Sequence, residues 1–205
     1  MTRLAGASGA APADERTLVE RMRAGDPRAL EAFYRAHVNR VTRAVGRLIG
    51  PTADLEDLVQ STFVEAIRSI PRYRGEASLA TWVTRIAVHV AQHHLRRGVR
   101  RSMPLEALPE ADVPAAHPTV ERVLDDRSLA ARVHGLLDRI APPKRIAFLL
   151  YAIEGCSVEE VAALMDAGRA ATKSRIWFAR REVLALARRD PLLRRLVRPS
   201  EEVES

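Results

Sequence analysis

Apolar side chains recur three or four positions apart along most of this chain, which is the spacing of one helical face. No stretch shows the every-second-residue alternation of a half-buried strand. The pattern predicts an all-α protein. It is clearest from Asp54 to Ile70, where Leu55, Leu58, Val59, Phe63, Ala66, Ile67 and Ile70 share one face. Asp54, Glu56, Asp57 and Gln60 gather in the first turn, the end at which the helix dipole favours negative charge. Upstream, Glu15 to Ala24 gives a short helix with Leu18, Val19 and Met22 inward, stopped by Gly25. Asp26-Pro27 opens another, as N-cap and first-turn proline; its stripe is Leu30, Phe33, Val38, Val41, Val45 and Leu48, and Gly50-Pro51 ends it.

Pro71 closes the 54–70 helix, and a loop leads to Ser78, the expected cap of a helix from Leu79 to about Arg97. Leu79, Trp82, Val83, Ile86, Ala87 and Val90 face inward there. Arg85, His89, Gln92, His93 and Arg96 form an opposite strip that is uncharged or positive throughout. Residues 102–119 carry four prolines, lack periodicity and are acidic, which reads as a flexible linker. A second helical unit starts near Val120 and runs first to Ile140. Pro142-Pro143 opens its next helix, Lys144 to Glu154, which Gly155 closes. Ser157-Val158-Glu159-Glu160 matches a capping box for a short helix to Met165. After the turn Asp166-Ala167-Gly168, a longer helix runs from Arg169 to about Arg188, with Ile176, Val183, Leu184 and Ala187 apolar. Two helices of these lengths about a glycine-containing turn are what a helix-turn-helix requires. The expected organisation is a disordered leader (1–14), a first helical domain (15–101), the linker (102–119), a second helical domain (120–197, helix-turn-helix 157–176) and an acidic tail (198–205).

Composition narrows the partners. With 205 residues and 47% apolar side chains, the chain supports one large or two small cores. A formal net charge of +7 and a pI near 10.6 favour a polyanionic partner, nucleic acid or an acidic membrane surface. Cys156 is the single cysteine, so an intramolecular disulfide and a thiolate zinc cluster are excluded and a cytoplasmic setting is the simplest inference. No apolar run spans a bilayer, and residues 1–14 lack the apolar segment of a secretion signal. A lone thiol between Gly155 and a helix cap reads as a small apolar filler. There is no phosphate-binding loop of the GxxxxGK type, so ATP hydrolysis is not expected. The chain is read as a binding protein, with no cofactor and no enzymatic activity expected.

The candidate chemistry is recognition. The last long helix carries Arg169, Thr172, Lys173, Ser174, Arg175, Arg180 and Arg181, and its N-terminal half is polar and basic where a recognition helix would enter a major groove. There arginine and lysine read guanine, and hydroxyls reach phosphates. In the loop before Ser78, Tyr73 offers a base-stacking ring and Arg72 or Arg74 a phosphate contact. Trp82 reads either as core or as a stacking wedge. Arg96, Arg97, Arg100 and Arg101 form a basic end, a phosphate contact or a solvated terminus. Two rivals remain: a stand-alone helix-turn-helix regulator binding a palindrome as a dimer, and a metalloenzyme using His93 and His94 with Asp54 or Glu56. Adjacent histidines on a helix point about 100° apart and no HExxH spacing occurs, which argues against a metal site.

The assembled pattern resembles the extracytoplasmic-function group of sigma factors, in the sigma-70 family. DLEDLVQSTFVEAIRSI resembles its polymerase-binding helix, YRGEASLATWVTRIAVHVAQHHLRR its promoter-melting segment, and EGCSVEEVAALMDAGRAATKSRIWFARRE its C-terminal helix-turn-helix. The resemblance covers residues 15 to about 190 in the family's order. It implies two domains, region 2 and region 4, and as partners core RNA polymerase (the β′ clamp and β subunits), promoter DNA and an anti-sigma factor. Asp54, Glu56, Asp57, Leu58, Gln60, Ser61, Phe63 and Val64 would bind polymerase. Tyr73, Arg74, Gly75, Glu76 and Ser78 would hold a flipped base, while Trp82, Arg85, His89, Gln92, His93 and Arg96 would line the melted minus-10 strand. Arg169, Thr172, Lys173, Ser174, Arg175 and Arg180 would read the minus-35 duplex. His89 stands where the family has Asn, and Asp166 to Thr172 replaces the usual Gly-Ile-Pro-Val-Gly-Thr-Val.

Overall fold

The computed structural model describes residues 13–50, 52–102 and 126–195. The expected leader, linker and tail lie outside the described residues apart from positions 13, 14 and 102. Eight α-helices follow in order: α1 (Ala13–Arg23), α2 (Pro27–Ile49), α3 (Leu55–Ser69), α4 (Leu79–Ser102), α5 (Asp126–Leu137), α6 (Pro142–Ala152), α7 (Val158–Leu164) and α8 (Arg169–Arg189). Among the described residues there is no strand, so the all-α expectation is met. No helix there is long and apolar enough to cross a membrane.

The local signals act as read. Asp26 accepts from Arg28 N at 2.9 Å with Pro27 at the first helical position, and Ser78 Oγ accepts from Thr81 N at 3.2 Å to start α4. Ser157 and Glu160 form the reciprocal capping box at 3.2 and 2.8 Å. Asp54, at the N-cap position of α3, makes no side-chain cap bond, and its own N–H donates to Thr52 Oγ1 at 3.2 Å.

In the N-terminal half, Phe33, Val41, Val45 and Leu48 of α2 are sealed against Phe63 of α3 and Leu79 and Val83 of α4. Burying each such side chain contributes roughly 1.5–3 kcal/mol, and Phe33 meets Phe63 edge-on with centroids 5.8 Å apart. Helix α1 then fastens the loop after α3. Arg23 donates to the carbonyls of Ile70 and Tyr73, and Glu15 Oε2 accepts from Leu79 N at 3.0 Å. In the C-terminal half Ile146, Ala147, Leu150, Val161, Leu164 and Ala179 are buried together, with Lys144–Glu182 (2.6 Å) and Arg132–Asp190 (3.4 Å) across the helices.

The two halves share a seam where α6 packs on α2 and α4, and α7 on α4. Arg47 binds both oxygens of Glu154, at 2.6 and 2.7 Å, and that carboxylate is only 1% exposed. Buried Arg145 donates to Ile49 O at 3.0 Å and pairs with Asp138, supplying a donor to a carbonyl at the C-terminal end of α2. Gly50 sits at φ 82°, and a Cβ there would stand 2.6 Å from His134 Nδ1, so both backbone and space demand glycine.

Candidate nucleic-acid interface

Helix α3 presents Asp54, Glu56, Asp57, Gln60, Ser61 and Val64 to solvent while Leu58 and Phe63 are buried. One apolar expectation is corrected: Ile67 is 41% exposed, and Val64 beside it is 46% exposed. At 100° per residue, Ile67 lies nearly in line with Gln60, outside the arc set by Val59, Phe63 and Ala66. The outward face of α3 therefore mixes carboxylates with two aliphatic side chains, a composition suited to a protein partner.

That face and the strip on α4 line one groove of about 1470 Å³, with Asp57, Gln60 and Val64 on one wall and Arg85, His89 and His93 on the other. Within the strip Arg85, His93 and Arg96 are exposed, but Gln92 is buried. Asp166, from the turn between α7 and α8, reaches the same groove: one oxygen pairs with Arg85 and the other lies 3.0 Å from His89 Nε2. That nitrogen has no aligned hydrogen-bond partner. Burial, then Arg85 and Arg96, hold the His89 imidazole below its ordinary pKa, so it is neutral near pH 7.

The loop residues are built into the fold. The Tyr73 ring is buried against Trp82 at 5.0 Å between centroids and its hydroxyl donates to Ala77 O, so it is not offered as an exposed stacking surface. Burial, helped by Glu15, pushes its phenol pKa up. Trp82 is half-buried at the margin of the core, 6.4 Å from Phe33. Arg74 and Glu76 are exposed, Gly75 half-buried with φ 73°, and Ser78 is occupied as a cap.

On α8, Arg169, Lys173, Ser174 and Arg180 are exposed, Arg169 pairing with Glu159 at 2.8 Å, and Arg175 is half-buried. Thr172 leaves the predicted surface. It is fully buried and its hydroxyl donates to Gly168 O at 3.0 Å, because it lies on the arc shared with Ala179 and Ile176. The metal reading finds His94 Nε2 3.7 Å from Asp54 Oδ2; among the described residues no group of three or more His, Cys, Asp or Glu could hold an ion.

Sequence reasoning passed over two features. Trp177 and Phe178 are each 48% exposed and meet edge-on at 4.8 Å, with Arg181 over the Trp177 ring. Neighbouring aromatics on a helix cannot both point inward, which is the signal that could have found them. Trp177 also borders an apolar groove of about 610 Å³ with Phe148, Tyr151 and Ile176. The second feature is Asp166, a non-glycine residue at φ 47°. Asp among turn residues tolerates that conformation, but no periodicity indicates what its carboxylate will meet.

These features first define a class: an all-α protein of two helical units, the second carrying a helix-turn-helix with an exposed basic face. The Sigma-70 region 2 family model matches residues 33–101, and the sigma-like domain of the response regulator PhyR matches residues 137–184. ECF RNA polymerase sigma factor SigE of Mycolicibacterium smegmatis is 35% identical over 164 residues, which is 78% of this chain and 63% of that protein. The ECF RNA polymerase sigma-E factor of Escherichia coli is 29% identical over 182 residues, 82% of this chain and 92% of that one. CnrH, solved in complex with the cytosolic domain of CnrY, shares the fold at a TM-score of 0.58 and 24% identity, covering 86% of this chain and 98% of that one. RpoE of Bartonella quintana, solved with the anti-sigma factor NepR, does so at 0.53 and 22%, covering 78% and 97%. The chain belongs to the extracytoplasmic-function group of the sigma-70 family.

Proposed function

We propose that this protein is an RNA polymerase sigma factor. It binds core polymerase through α3, positions on the minus-35 duplex through α8, and holds the melted minus-10 strand along α4. The observation that carries this is the shared groove: the outward face of α3 and the basic strip of α4 form its two walls. A polymerase clamp docked on one wall lays a single strand along the other. In this reading residues 15–101 are region 2, 102–119 the linker and 120–197 region 4. The apolar groove beside Trp177 offers a second protein contact, suited to the β subunit.

Opening DNA this way uses binding alone, and the protein acts in the cytoplasm as a binding factor rather than an enzyme. Each unstacked step costs about 1.4 kcal/mol and a captured flipped base a few more. Stacking at roughly 1–3 kcal/mol per base and phosphate contacts offset this only when polymerase holds the strands. An anti-sigma factor is the expected regulator; CnrH and the Bartonella RpoE are each solved with a protein partner, NepR being an anti-sigma factor. The alternative, a dimeric stand-alone regulator, accounts for α7 and α8 but leaves the α3–α4 groove unused.

The test is Asp57→Arg in the full chain. Asp57 is exposed, so the fold should persist by circular dichroism while holoenzyme assembly with core polymerase is lost. Assembly at the wild-type level would show that this face is misassigned.

A further inference from the structure

The seam between the halves places an acidic side chain on the strand-binding strip itself. Asp166 projects from the turn of the helix-turn-helix, and its two oxygens address separate groups on α4: one pairs with the Arg85 guanidinium, the other lies 3.0 Å from His89 Nε2. A carboxylate in that position presents to α4 what a backbone phosphate presents, an anionic oxygen pair between a cation and an imidazole. The groups are half-exposed, Arg85 at 47% and Asp166 at 48%, so the contact is open to competition. Two firmer contacts hold the same seam from the other end: Arg47 on Glu154, and Arg145 on the Ile49 carbonyl.

We propose that the turn between α7 and α8 is an internal cap: in the free protein Asp166 occupies Arg85 and His89, so the strip takes up single-stranded DNA only after the two helical units separate. This rests on the assignment of the α4 strip to melted DNA. The cap keeps a strongly basic protein from binding single-stranded nucleic acid indiscriminately, and it couples exposure of the strip to any partner that draws the units apart. The residue suits the task. At φ 47° only Gly, Asn and Asp are readily accommodated, and of these Asp alone carries charge.

The experiment uses the full chain and a fluorescein-labelled oligothymidylate. Asp166→Asn keeps the turn conformation and the shape but removes the charge; it should bind roughly threefold more tightly, the scale of a half-exposed ion pair. Arg47→Ala leaves the strip untouched but strands the buried Glu154 carboxylate, and should tighten binding on the order of tenfold while enlarging the radius of gyration in small-angle X-ray scattering. Affinities at the wild-type value in both variants would overturn the cap, as would wider scattering in Arg47→Ala with no gain in binding. Holoenzyme assembly by the wild-type chain is followed in parallel. Its failure would count against the sigma-factor reading, whereas the scattering and oligonucleotide results report on the seam without polymerase.

Discussion

The two surfaces assigned to DNA are built on opposite plans. Around α4, four of the candidate contacts are also structural parts, while Arg85, His93 and Arg96 are exposed: Tyr73 is buried, Ser78 caps the helix, Gln92 is buried and Trp82 leans on the core. On α8, Lys173, Ser174 and Arg180 stand in solvent, and the buried side of the helix is left to Thr172, Ala179 and Ala187. Binding and stability should therefore be coupled at those four positions of the first region and separable in the second. The difference follows from the tasks proposed for them. A loop that holds an extruded base must be rigid before the base arrives, whereas a recognition helix needs only to project side chains into a groove.

Tyr73→Ala gives the largest expected effect. Removing a buried aromatic ring that contacts Trp82 costs about 3 kcal/mol or more, read as a lower midpoint in urea unfolding. Tyr73→Phe, which deletes only the hydroxyl bonded to Ala77 O, should cost about 1 kcal/mol. Wild-type stability in Tyr73→Ala would mean the ring is a free contact and would collapse the contrast between the regions.

How much of this was legible depended on the reach of the interaction. Capping by Asp26, Ser78 and the Ser157–Glu160 pair is written within three residues of sequence, and each formed as read. Helix periodicity likewise placed the all-α fold. It failed where the apolar arc was narrower than the residue type suggested, as at Ile67, and where a polar residue lay on the buried arc, as at Thr172. The seam was not legible at all. The contacts of Arg47 with Glu154 and of Arg85 with Asp166 join positions far apart in the chain, and nothing local to either residue marks its partner.

On α8 the expected result is the reverse of Tyr73. The double substitution Lys173→Glu with Arg180→Glu removes two exposed cations, so unfolding free energy should stay within about 0.5 kcal/mol of wild type. Promoter duplex binding by the holoenzyme should fall on the order of a hundredfold, since each base or phosphate contact contributes roughly 1–3 kcal/mol. Arg175→Ala should do less, because that side chain is half-buried on the flank of the helix. A marked loss of stability in the double variant would show that α8 does not keep the two roles apart.

The smallest effect sharpens the contrast through pH. His89 on α4 and His134 on α5 both have pKa values below the ordinary 6.5, burial being the first cause in each, followed by Arg85 and Arg96 for His89 and by Arg145 for His134. Opposing groups are present: Asp138 acts to raise His134, and Asp166 faces His89 but is already paired with Arg85. His37 in α2 is shifted the same way by burial and Arg40, with Glu15 opposing. The unfolded chain thus takes up protons near pH 6.5 that the folded chain resists. Stability is full above about pH 6.5, falls as pH drops through that value toward the lowered folded pKa values, and then levels. Helix α8 carries no histidine, so the loss belongs to α2, α4 and the seam. Thermal midpoints at about pH 7.5 and about pH 5.5 should differ more for the wild type than for His134→Gln, which has no titrating ring at that position. A midpoint that rises on acidification would mean that Asp166 and Asp138 outweigh burial, and that the seam tightens rather than loosens in acid.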